Sequence, residues 1–168
     1  MRDGFIDKVE VLTFVDGEAS IDWMLESGAK VMNLLTKGSL NHLTHQLKKT
    51  PEAHFADIQK VIELAQSKGI SANVYLEDWS NGMRHSQEYV FQYIDFLTTQ
   101  PVKRIMLPDT LGVLVPSEVF EFISATSRVW IKDARLTADI VGKSALALSV
   151  GAGGTYKFWF SLPRPPQG

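Results

Sequence analysis

An α/β fold of repeated strand–helix units is predicted for this chain, and three observations predict it. Short apolar runs recur near residues 12, 32, 74 and 105. Between them lie amphipathic stretches with helix start and stop signals. Apolar residues make up 45 % of the sequence and charged residues 21 %, the balance of a chain that buries a core and not of a disordered one.

Each element follows from local chemistry. VEVLTFVD (9–16) reads as a short strand. EASIDWMLESG (18–28) is a short amphipathic helix closed by Gly28, since glycine takes a left-handed helix end without a Cβ penalty. AKVMNLLTKG (29–38) is the second strand, its apolar run ending in a polar loop, and Leu40, Leu43 and Leu47 then mark a brief helix. TPEAHFADIQKVIELAQSKG (50–69) carries a strong helix signature: Thr50 to cap, Pro51 at the first helical position and Gly69 to stop it. Phe55, Ile58, Val61, Ile62 and Ala65 form its apolar stripe. ISANVYLED (70–78) is the third strand, and SQEYVFQYIDFLTTQ (86–100) the next helix, with Ser86 as its cap. The aromatic residues Phe91, Tyr93 and Phe96 are assigned to packing of that helix. VKRIMLPD (102–109) is the fourth strand, and PSEVFEFIS (116–124) begins a further helix at Pro116.

Two folds repeat this rhythm: the (β/α)₈ TIM barrel and the doubly wound open sheet. The usual nucleotide-binding versions lack support, because neither G-x-G-x-x-G nor G-x-x-x-x-G-K-[ST] occurs. In a barrel, chemistry sits at the carboxyl ends of the strands. The polar residues there are Thr36, Lys37, Glu77, Asp78, Asp109 and Thr110. There is no cysteine, which removes disulfide and thiolate chemistry. No apolar run reaches membrane-spanning length and no signal-peptide layout opens the chain, so the expected compartment is the cytoplasm. The net charge of −2 makes no electrostatic case for nucleic acid. His42 and His45 are three residues apart and could face together with Glu52, but they, His54 and His85 read as surface or loop histidines.

Three segments carry a resemblance: NLLTKGSLNHLTHQLKKTPEAHFADI (33–58), NVYLEDWSNGMRHS (73–86) and IMLPDTLGVLVPSEV (105–119). In this order they resemble the 2-isopropylmalate/citramalate synthase family, over about residues 5–124. The resemblance implies a TIM barrel, with the strands here as its middle ones, roughly the third to sixth. It also implies an acyltransferase that condenses acetyl-CoA with a 2-oxo acid, pyruvate or 2-oxoisovalerate, and hydrolyses the thioester. The family's cofactor is a divalent metal (Mg, Mn or Zn) that holds the 2-oxo acid and polarises its keto group. A related metal-dependent carbon–carbon lyase shares the same motifs.

Carried over residue by residue, the resemblance implies that Glu77 is the catalytic carboxylate of YLED and Tyr75 a substrate-pocket residue beside it. Thr110 of LPDTLG matches the threonine that holds the substrate carboxylate. Leu34, with Leu35 as the second choice, matches the apolar wall that selects the 2-oxo acid side chain. Tyr75 and Glu77 have the same parity on one strand, so both side chains point to one face. Asp109 is read as orienting its loop or capping the following segment, and Asn81-Gly82 as part of a loop.

The family's D-R-E motif, its H-x-H pair and its N-G-x-G-E-R segment do not occur in this sequence. The chain is therefore expected to be a fragment of about four to five βα units, inactive alone and binding no metal alone. It is expected to be either a non-catalytic remnant or a half-barrel that assembles with a complementary fragment or with itself. A charge break supports two parts. Residues 1–125 hold 11 Lys and Arg against 17 Asp and Glu, whereas residues 126–168 hold 6 against 2. The first part is read as an incomplete barrel domain. The second is read as a divergent, poorly ordered tail, its abrupt onset suggesting a shifted reading frame. Its GKSALALSVGAGG stretch (142–154) has its glycines on the wrong side of Gly142-Lys143-Ser144 for a phosphate loop.

Overall fold

The computed structural model describes residues 5–130, 149–150 and 156–161. Four parallel strands form the sheet's main body: β1 (Glu10–Phe14), β2 (Val31–Lys37), β3 (Ser71–Glu77) and β4 (Val102–Pro108). They neighbour one another in chain order, and each crossover carries helix. The helices are α1 (Ala19–Ser27), α2 (Leu40–His42), which runs into a π-helical turn at Leu43–Leu47, α3 (Pro51–Ser67), α4 (Trp79–His85), α5 (Gln87–Thr98) and α6 (Pro116–Trp130). A doubly wound sheet would reverse its strand order and carry helices on both faces. Here the order never reverses within β1–β4, as in a partial (β/α) barrel. Beyond β4 lie β6 (Tyr156–Ser161) and β5 (Ser149–Val150), both antiparallel additions. The expected tail, 126–168, lies mostly outside the described residues, as does most of the stretch 142–154.

Alternation along the strands separates the faces. Met32, Leu34, Val74, Leu76, Ile105 and Leu107 are buried with Ile58 and Ile62 of α3 and with Tyr93 and Ile94 of α5 in one core. That single helix-covered face holds the fold together, each fully buried aliphatic side chain contributing about 1.5–3 kcal/mol. The opposite face is open at β1 and closes toward β4: Leu12 and Phe14 of β1 are 54 % and 46 % exposed, Leu35, Tyr75 and Glu77 are half-buried, and Asn73 and Met106 are buried.

Local signals are partly realised as expected. Thr50 caps α3 by accepting from Ala53 N at 3.3 Å, and Gly28 ends α1 at φ 76°. Ser86 differs. Its hydroxyl donates to Gly82 O (3.3 Å) and accepts from Leu40 N (3.2 Å), tying α4 to α2 without capping α5. Asn81 and Gly82 lie inside α4 and not in a loop. A side chain at Gly82 would collide with the Gly38 carbonyl and with Val90 Cγ2, so this helix rests directly on the β2–α2 backbone. Phe55 stacks on Tyr93 (5.0 Å) and Phe96 (4.9 Å), which confirms the packing role of the α5 aromatics.

Candidate active-site face

The open face is layered by register. Glu10 sits at the amino end of β1, and the next positions across the sheet are Leu12, Asn33, Asn73 and Arg104. Asn73 donates to Asn33 Oδ1 at 2.9 Å, and Arg104 is paired with Glu10. One layer up, Phe14, Leu35, Tyr75 and Met106 stand in register as an apolar floor. At the carboxyl end of the strands Lys37 aligns with Glu77, and the two form an ion pair. Polarity therefore changes along the face: polar at the bottom, apolar in the middle, charged at the rim where barrel chemistry belongs.

Tyr75 and Glu77 share this face, as their parity requires. Burial raises the Tyr75 phenol above its ordinary value, so it acts as a neutral donor and acceptor. Thr110 comes beside them through the chain: its hydroxyl accepts from the backbone N–H of Asp78, the residue after Glu77, at 3.1 Å. With that lone pair engaged, the Thr110 O–H remains a donor for an incoming oxygen. Leu34 lies on the other face. It aligns with Val74, is fully buried and packs in the helix-side core, facing away from Tyr75. Leu35, its neighbour, is the residue that reaches the floor. A strand reverses side-chain direction at each residue, so a one-position choice decides the face.

Asp78 ties the loops together. It takes a left-handed backbone (φ 66°), and its buried carboxylate accepts from Ser39 Oγ and Asn81 Nδ2, both at 2.7 Å, with His42 Nε2 at 3.4 Å. The loops after β2, β3 and β4 are thereby held to one another. Asp109 orients its own loop, as expected: its two oxygens accept from Val113 N (3.1 Å) and Leu114 N (2.9 Å). A polar cleft of about 680 Å³ lies beside the strand ends, lined by residues that include His42, His45, His85, Asp78 and Asn81. His42 and His45 do face together there, without Glu52.

His54 is the histidine whose environment the sequence concealed. It is fully buried, and Nε2 accepts from Lys37 N at 3.4 Å. Burial, with help from nearby Lys49, lowers its pKa to about 4, so it is the neutral acceptor. Tyr89 OH donates to Lys37 O at 2.7 Å. The backbone of Lys37 is thus held from both sides by buried side chains of α3 and α5. Spacing alone gave no signal of this, because the three residues lie on separate elements.

A divalent metal does not fit the described residues. Among them no group of three or more His, Asp or Glu side chains converges to hold one. The nearest charged partner of Glu77 is an ammonium and not a second carboxylate.

A family model described as HMGL-like matches residues 6–138. The chain is 26 % identical over 124 residues to a 2-isopropylmalate synthase of Sulfolobus acidocaldarius, covering 73 % of this chain and 31 % of that protein. It is 25 % identical over 118 residues to the "Probable 2-isopropylmalate synthase" of Ignicoccus hospitalis, covering 70 % and 29 %. The chain thus spans about three-tenths of the length of these relatives. In fold it is similar to hydroxymethylglutaryl-CoA lyase from Pseudomonas aeruginosa, with a TM-score of 0.62 at 17 % identity, covering 76 % of this chain and 42 % of that one.

Proposed function

This chain belongs to the HMGL-like family, and from that membership we propose that it supplies the 2-oxo-acid-binding wall of an acyl-condensing site. One observation carries the reading: Glu77 stands on the same face as Tyr75, one layer above the floor that Tyr75 and Leu35 help form, with Thr110 bonded to the backbone beside Glu77. On such a surface the small side chain of pyruvate or 2-oxoisovalerate lies against Leu35 and Tyr75. The Thr110 hydroxyl donates to its carboxylate. Glu77 is the carboxylate placed to take a proton from the acetyl methyl of acetyl-CoA. The enolate then forms the new carbon–carbon bond at the keto carbon, and water cleaves the thioester to release CoA. The reverse cleavage, a lyase reaction, would use the same wall.

The family's metal would stabilise charge at the keto oxygen, but the described residues do not assemble its ligands, and no step here runs through it. The D-R-E and H-x-H groups do not occur in this sequence, so catalysis would need groups from elsewhere. Those groups would reach the open face from the remainder of a barrel, in the same protein or in a partner. The exposed Leu12 and Phe14 support this.

The test measures pyruvate and 2-oxoisovalerate binding, together with acetyl-CoA-dependent release of free CoA, with Mg²⁺ or Mn²⁺ present. Binding by the purified chain is expected, weakened on Thr110→Val, with no CoA release. Release by the chain alone, lost on Glu77→Ala, would overturn the need for outside groups. Failure to bind either acid would overturn the assignment.

A further inference from the structure

We propose that Lys37 is a substrate-binding residue, its ammonium receiving the carboxylate of the 2-oxo acid at the place where the described residues assemble no metal site. The inference rests on the binding-wall reading above and names the cation that this wall needs. An anionic substrate held at a half-buried rim needs a compensating positive charge, because a desolvated carboxylate without one is costly. Lys37 provides it in the right layer. It is the last residue of β2, its side chain lies on the open face, and it stands one layer above Leu35 and in register with Glu77.

Three features make Lys37 a placed cation and not a wandering surface lysine. Its backbone N–H donates to His54 Nε2 (3.4 Å), and its carbonyl accepts from Tyr89 OH (2.7 Å). Next along the chain, Gly38 N donates to the Glu77 carbonyl at 2.6 Å, joining the β2 and β3 ends. The side chain itself is only 16 % exposed and is directed by Glu77. An ammonium has three donors, and the described contact with Glu77 uses one, leaving two for an incoming carboxylate.

The alternative is a cross-strand ion pair with no ligand. Pyruvate binding separates the two when measured by ligand-observed NMR in EDTA, with methyl pyruvate as the uncharged comparison. Wild type should bind pyruvate without metal and prefer it to the ester by about tenfold or more, the range of a charged hydrogen bond. Lys37→Met should abolish that preference, and Lys37→Arg should keep most of it. The double variant Lys37→Met/Glu77→Gln, which leaves no unpaired charge, should fold and still lack the preference. Pyruvate binding that needs Mn²⁺ or Mg²⁺, or that is unchanged in Lys37→Met, overturns the role of Lys37 and leaves the binding wall standing. No pyruvate binding under any condition overturns both.

Discussion

At the scale of single residues, His54 has the clearest measurable consequence. Its imidazole is buried and neutral with a pKa of about 4, against an ordinary value of 6.5. The folded value lies below the unfolded one, so the unfolded chain takes up the proton first as pH falls. The contribution is full above about pH 6.5 and is lost progressively toward pH 4. The maximum loss is on the order of 3 kcal/mol, from about 1.36 kcal/mol per pH unit. Urea midpoints at pH 7, 5.5 and 4.5 should fall steeply for the wild type, and His54→Phe should remove most of that slope. Equal slopes would show that another group governs the acid limb. Because His54 also accepts from Lys37 N, the same variant should loosen the Lys37 backbone.

At the scale of elements, α4 shows a conflict between propensity and packing. Alanine normally stabilises a helix interior relative to glycine by about 1 kcal/mol. At Gly82 the added methyl would meet the Gly38 carbonyl and Val90 Cγ2. Overpacking of this kind typically costs about 1–3 kcal/mol, and here backbone cannot step aside as a flexible side chain would. Gly82→Ala is therefore expected to destabilise, with a lower thermal midpoint. A raised midpoint would mean that α4 does not rest on the β2–α2 backbone. No helix was legible over 79–85, because Asn81-Gly82 carries a strong turn signal. Local bonds from Asn81 to Asp78 and from Ser86 to Gly82 close its ends, and a tertiary contact, the two-point pair of Arg84 with Glu118 of α6, anchors it.

At the scale of the whole molecule, burial is uneven across the second face of the sheet, complete at Met106 of β4 and lost at β1. Helices cover one face of the parallel sheet, while Leu12 and Phe14 stand 54 % and 46 % exposed on the other. Among the described residues β1 pairs only with β2, leaving an edge of the kind that invites association. The full chain is expected to self-associate at micromolar concentration, and Leu12→Thr/Phe14→Thr should shift it toward monomer in sedimentation velocity with little change in circular dichroism. A wild type that stays monomeric would argue that this face is covered within the chain.

The sequence by itself determined the strand–helix rhythm, the caps at Thr50 and Gly28, and the shared face of Tyr75 and Glu77. These follow from short-range rules: periodicity, capping chemistry and strand parity. It also showed which polar residues stand at the strand ends. It left barrel and open sheet as alternatives, since both repeat the same local units. Strand order settled that choice. Which of Leu34 and Leu35 shares the face of Tyr75, that Lys37 faces Glu77, and that His54 and Tyr89 hold Lys37 were decided only by tertiary structure. Those contacts join residues 17 to 52 positions apart, and no local rule reports which distant backbone group a buried imidazole or phenol will find.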